Sequence, residues 1–177
     1  IDGLDGLAAG VSSISSLSLF FVSVIAGDMN TAIVTAAIAG STLGFLPYNF
    51  NPAKIFMGDT GATFLGFTLG VISIKGMLKS FAAIAIAIPL LALGLPLFDT
   101  AFAILRRLVR GKSIMEADRG HLHHRLIDMG LSHKQSVVVM YIASGALGLC
   151  AIVLADKGVL GAIVLFIAVS VFIVGGA

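Results

Sequence analysis

The sequence predicts an all-α polytopic membrane protein with about six transmembrane helices and two longer cytoplasmic loops. Three observations carry that expectation. Of 177 residues, 58% are hydrophobic, and the 21 glycines raise the apolar share to about 70%, against about 45–50% in a soluble domain. Charged residues make up 11%, less than half the usual quarter. Six apolar stretches recur along the chain, several of them near the roughly 20 residues that cross hydrocarbon as a helix. This composition excludes a disordered chain and argues against a soluble globular domain. A net charge of +2 supplies no broad basic face, so no nucleic-acid partner is expected.

The stretches run over residues 7–26, 31–46, 62–74, 81–105, 136–154 and 159–174. The second and third are short for a crossing, so they must extend into their flanking loops or be sheltered by protein. Pro89, Pro96 and Asp99 interrupt the fourth, which predicts a kinked or broken helix. Ser132-His-Lys-Gln135 fits a capping box opening the fifth, and Gly130 suits the end of the segment before it. Ser113-Ile-Met-Glu116 fits the start of a short helix in the large loop. His133 suits a helix start better than chemistry, and the single cysteine, Cys150, reads as a small buried apolar residue.

Short connections alternate with two longer polar ones, 47–61 and 106–135. Six crossings therefore place both long loops and the chain's start on one side. That side carries Lys54, Arg106, Arg107, Arg110, Lys112, Arg119, Arg125 and Lys134, against Lys75, Lys79 and Lys157 opposite. The bias assigns the long loops to the cytoplasm. No basic segment precedes an apolar run, so no signal peptide is read. The first residues look like the middle of a motif, which suggests a fragment of a longer protein.

Polar groups near a bilayer are expensive, so their clustering is informative. The first cluster is Ile1-Asp-Gly-Leu-Asp-Gly-Leu-Ala-Ala-Gly10. In a helix, Asp2 and Asp5 would share a face, and Gly3, Gly6 and Gly10 would form a stripe permitting close helix contact, close ligand approach or a homodimer. Two carboxylates there suit a hard cation such as Mg²⁺, or simply the positive end of a helix dipole. The second, Pro47-Tyr-Asn-Phe-Asn-Pro-Ala-Lys-Ile-Phe-Met-Gly-Asp-Thr-Gly61, carries Asn49, Lys54, Phe56 and Asp59. Asp59 could complete an oxygen site with Asp2 or Asp5. Phe56 offers a face for a base or for the membrane interface, and Asn49 and Asn51 equally suit turns. The third, Ala117-Asp-Arg-Gly-His-Leu-His-His-Arg-Leu-Ile-Asp128, interleaves His121, His123 and His124 with Arg119 and Arg125. It reads as a phosphate clamp or as a basic amphipathic segment on anionic lipid. Asp99 stands apart and suits an ion pair or an interface position better than catalysis.

Taken together and in this order, Ile1 to Gly10, Asn51 to Gly61 and Asp118 to Leu126 resemble the polyprenyl-phosphate N-acetylhexosamine-1-phosphate transferases, glycosyltransferase family 4. The His-x-His-His spacing at His121 to His124 is similar to the branch that uses UDP-N-acetylglucosamine. The resemblance spans essentially the whole chain. It implies one integral membrane domain, residues 1–177, forming the C-terminal half of a longer enzyme whose upstream half carries an aspartate-rich motif. It also implies transfer of N-acetylglucosamine 1-phosphate from UDP-GlcNAc to undecaprenyl phosphate, with release of UMP. That step would begin a cell-envelope polysaccharide or teichoic acid.

On these positions the resemblance makes Asp59 the Mg²⁺ ligand, helped by Asp5, with Mn²⁺ as a substitute and Asp2 lining the same site. Phe56 would stack on uracil, with Asn49 and Lys54 on the substrate. Arg119, His121, His123, His124 and Arg125 would receive the diphosphate or the uridine end. His123 joins Asp2, Asp5 and Asp59 in the catalytic set. The site would face the cytoplasm from the inner cell membrane. A transporter would instead string its polar groups near the bilayer midplane. A catalytically silent membrane subunit would lack the activity while keeping the fold.

Overall fold

A computed structural model describes residues 2–77, 82–111, 113 and 121–175. Among them are seven helices and no strand: α1 (Leu7–Ile25), α2 (Met29–Asn49), α3 (Gly58–Met77), α4 (Ala82–Ala92), α5 (Gly94–Val109), α6 (Leu122–Asp128) and α7 (His133–Gly175). Of the short helix expected from Ser113 to Glu116 only Ser113 is among the described residues, and Asp118, Arg119 and Gly120 lie outside them.

Helix α1 is the hub, packed against α2, α3, α4 and α7. Of its apolar window 56% is buried, against 28% for α2, so α1 lies inside the bundle and α2 on its flank. Its serines survive that burial by bonding back along the helix. Ser13, Ser16 and Ser18 donate to the carbonyls of Ala9, Ser12 and Ile14.

The second and third apolar stretches do extend into their loops, giving helices of 21 and 20 residues. Asp28 opens α2, accepting from the Thr31 amide and hydroxyl. The polar loop expected over 47–61 is consequently shorter. Pro47, Tyr48 and Asn49 finish α2, and Gly58 to Gly61 begin α3.

The broken fourth stretch is present as expected: α4 and α5 meet at 87°. Pro96, in the first turn of α5, has no N–H to offer the Ala92 carbonyl one turn back, so the hydrogen-bond ladder of α4 cannot carry on into α5. Ser15 of α1 supplies the missing donor, its hydroxyl lying 2.8 Å from that oxygen.

Gly130, at φ 96°, closes α6 as its sequence position suggested. Ser132 and Gln135 form the reciprocal capping box that opens α7. Where a loop was expected near residues 155–158, α7 is interrupted only by Gly158, at φ 74° and ψ −168°.

Among the described residues three helices are long and apolar enough to cross a membrane, or four if α4 and α5 count as one broken span. Phe64, Phe67, Phe102, Ile142 and Leu160 are all more than 60% exposed, a surface suited to lipid and not to water. Among the described residues two cores hold the bundle. One joins α1, α2, α3, α4 and α7 through residues such as Leu19, Ile38, Leu69, Ile88 and Ala151. The other lies towards the polar end, where Leu7, Val11, Leu95, Val137 and Met140 receive Leu122, Leu126 and Ile127 of α6. That second core is what seats α6 beneath the start of the chain.

Candidate functional site

Three distant segments meet at the polar end. Asp2 and Asp5 precede α1 in a turn and do not share a helix face, because Gly6 at φ 80° keeps the helix from beginning before Leu7. The glycine stripe is used within the chain. Gly3 lies against the His123 ring, Gly6 against Phe50 and Gly10 against Tyr141, whose hydroxyl donates to the Gly6 carbonyl.

The turn and the α2–α3 loop are laced together. Asn49 is 3% exposed, its carbonyl oxygen accepting from the Gly6 N–H and its amide donating to the Ile55 carbonyl. Asp5 accepts on one oxygen from the Asn51 amide at 3.1 Å and from the Ala53 N–H at 3.0 Å. Both residues therefore shape the loop that presents Phe56, which is 75% exposed. Asp2, Asp5, Asn49 and Phe56 line one cavity of about 230 Å³.

A second cavity of about 600 Å³ is lined by Asp2, Asp59, Thr63, His121, His123 and His124. That volume suits a ligand of nucleotide size. Asp59 stands in the first turn of α3, where the helix dipole favours its charge. Asp2 belongs to both cavities. Desolvation by the cavity walls raises its pKa above 3.8, and the Asp59 carboxylate adds to the rise.

The histidines form a stack. His121 and His123 lie parallel with centroids 5.9 Å apart, and His124 is 4.3 Å from His123. His123 is 4% exposed, and neither ring nitrogen has a hydrogen-bond partner. Burial, reinforced by His124, pushes it down to about 4, so the ring is neutral near pH 7.

Asp99 is the site residue whose place the sequence did not reveal. It lies one turn beyond the α4–α5 break and is 9% exposed. One carboxylate oxygen accepts from the Leu122 N–H at 2.7 Å, and the other lies 2.9 Å from His121 Nδ1. Asp99 thus finds its partner in the histidine cluster, a contact that is an ion pair only when His121 carries a second proton. An acid placed just after a proline-broken helix, at the polar end, was the available signal.

Lys54 and Arg125 are exposed and line neither cavity, and Arg119 lies outside the described residues. Among the described residues no three acidic, histidine or cysteine side chains converge tightly enough to hold a metal by themselves. The donors present do fit a hard cation. Two carboxylates, Asp2 and Asp59, face one cavity, the Asp59 charge opposing ionisation of Asp2, and Mg²⁺ commonly takes only one or two carboxylates beside substrate phosphates.

The fold and site define a helical integral membrane protein with a carboxylate- and imidazole-lined pocket at one end of its bundle. The sequence profile of Glycosyl transferase family 4 matches residues 1–77. The chain is 47% identical over 154 residues to a probable undecaprenyl-phosphate N-acetylglucosaminyl 1-phosphate transferase of Bacillus subtilis, covering 87% of this chain and 43% of that protein. It is 38% identical to a decaprenyl-phosphate N-acetylglucosaminephosphotransferase of Mycolicibacterium smegmatis, covering 89% and 44%. With an undecaprenyl-phosphate alpha-N-acetylglucosaminyl 1-phosphate transferase of Escherichia coli K12 it shares 30% identity, covering 83% and 41%. The chain belongs to glycosyl transferase family 4, and it spans less than half the length of these relatives.

Proposed function

We propose that the protein is a Mg²⁺-dependent phosphoglycosyl transferase of the inner cell membrane. It moves N-acetylglucosamine 1-phosphate from UDP-GlcNAc to undecaprenyl phosphate, releases UMP, and so begins a cell-envelope polysaccharide or teichoic acid. The observation that carries this reading is the single cavity shared by Asp2, Asp59, His121, His123 and His124. The relatives' names support the reaction class, since each joins a polyprenyl phosphate to an N-acetylglucosamine phosphate.

In the proposed reaction an oxygen of the lipid phosphate attacks the phosphorus next to the sugar. The new P–O bond forms as the bond to the uridylyl oxygen breaks, and UMP departs with that oxygen. Two anions must meet, so neutralising charge is the main task. Bound Mg²⁺ would supply charge neutralisation across the diphosphate, held by Asp59 with Asp2 of the same cavity, while Asp5 lines the adjoining cavity and braces the loop. His121, His123 and His124 receive the phosphate oxygens, and uracil stacks on Phe56 with Asn49 on the nucleotide side. Phe56 is well suited to that role because its ring stands free of the loop that Asn49 and Asp5 brace.

The proposed topology has six crossings, with α7 contributing two on either side of Gly158 and the cavity opening to the cytoplasm. A lipid phosphate then reaches the site at the membrane surface while its tail stays in hydrocarbon. Radiolabelled UDP-GlcNAc, undecaprenyl phosphate and Mg²⁺, given to membranes holding the complete polypeptide, should yield lipid-linked sugar and UMP. Flux of a solute across proteoliposomes without UMP release would refute the transferase reading.

A further inference from the structure

The Asp99–His121 pair has a chemical consequence beyond seating α6. An ionised carboxylate is acceptor-only, so the 2.9 Å contact requires the proton on His121 Nδ1. That leaves Nε2 as the nitrogen free to meet whatever occupies the larger cavity, in either protonation state of the ring. Nothing else in the described structure fixes this choice. His121 is the residue before α6 and forms no side-chain cap of its own; the stack against His123 sets the plane of the ring but not its proton.

Asp99 can do this because of the break between α4 and α5. The 87° turn brings the first helical turns of α5 under the N-terminus of α6. There one oxygen is held by the Leu122 N–H, an obligate donor, and the other is left for the imidazole.

We infer that Asp99 is a positioning residue that fixes the tautomer and aim of His121 in the transfer reaction, so that Nε2 faces the diphosphate of the nucleotide sugar. The inference rests on the transferase reading for its kinetic part and on geometry alone for its tautomer part. Carboxylates behind metal-bound imidazoles act in this way in other sites, and losing one typically lowers metal affinity or activity about 10- to 100-fold.

The test is Asp99→Asn. Leu122 still needs an acceptor, so the asparagine oxygen must face it and the NH₂ must face His121. Two donors cannot meet there, so His121 must move its proton to Nε2. The packing and the α6 cap survive the change. In the complete polypeptide labelled with ¹⁵N-histidine, wild-type His121 should show a protonated Nδ1 and the Asp99→Asn variant a protonated Nε2, the other histidine signals reporting that the variant is folded. UMP release should fall about 10- to 100-fold in kcat, with KM for UDP-GlcNAc within about threefold of wild type. The same tautomer in both proteins, or a reversed tautomer with unchanged kcat, overturns the inference. If the wild-type protein releases no UMP, the transferase reading falls, while the nitrogen spectrum still decides whether Asp99 sets the tautomer.

Discussion

Gly3 lies flat against the imidazole of His123, so close that a Cβ on residue 3 would stand 2.7 Å from the ring's Cε1. The chain's first turn and the histidine helix are thereby fitted to each other across 120 residues of sequence. Gly3→Ala should push α6 away from Asp2 and destabilise the protein by about 1–3 kcal/mol, the usual result of overpacking. Thermal unfolding in detergent measures the loss. Adding His123→Ala to Gly3→Ala should recover much of it, and simple additivity of the two changes would contradict the contact.

The bend between α4 and α5 depends on a donor lent by another helix. Ser15→Ala leaves the Ala92 carbonyl buried and unpaired, because Pro96 cannot serve it. The expected destabilisation is about 1–2 kcal/mol, while Ser15→Thr retains the bond and stays near wild type. Equal stability of Ser15→Ala and wild type would show that the bend does not need this hydroxyl.

Loop shape rests on Asp5. Asp5→Asn keeps the side chain's size but loses the charge that strengthens its bonds to Asn51 and Ala53. Loop residues 50–57 should become more accessible to protease, and apparent affinity for UDP-GlcNAc should weaken about tenfold. A variant that loses Mg²⁺ dependence while the loop stays as protected as in wild type would assign Asp5 to the metal alone.

Stability should fall in acid through His123. Its folded-state pKa of about 4 lies below the ordinary 6.5, so the unfolded chain binds the extra proton first. The contribution is present above pH 6.5 and is lost as pH falls towards 4. His124 and His121 push in the same direction as burial, and Asp99 opposes them. His123→Gln should flatten the pH dependence of thermal unfolding across that window. An unchanged slope would place the acid sensitivity elsewhere.

Much of this architecture was legible in the sequence, and the exceptions have physical reasons. Apolar runs and prolines marked the helices and the broken fourth stretch, since burial in lipid and a missing N–H act locally. The capping box at Ser132 and the stop at Gly130 were equally local. Helix ends were not, because tertiary contacts carried α2 through Pro47 to Asn49 and began α3 at Gly58. The turn at Asp2 and Asp5 escaped a helical reading of their spacing because Gly6 takes a left-handed conformation that no pattern announces. The sequence singled out Asp59 and the histidines as polar groups near a membrane. It could not show that Asn49 and Asp5 spend their hydrogen bonds on backbone, or that Asp99 reaches His121, since those partners are up to 48 residues away.

The central claim is that carboxylates and imidazoles from three segments surround one divalent ion and its nucleotide. Mn²⁺ in place of Mg²⁺ tests it directly, because a paramagnetic ion broadens the signals of nuclei close to it. In the complete polypeptide with UDP-GlcNAc present, Mn²⁺ should broaden the imidazole signals of His121, His123 and His124 while sparing His133, and Asp59→Asn should abolish the effect. Cluster signals that stay sharp, or that broaden equally with and without the Asp59 carboxylate, would contradict the account.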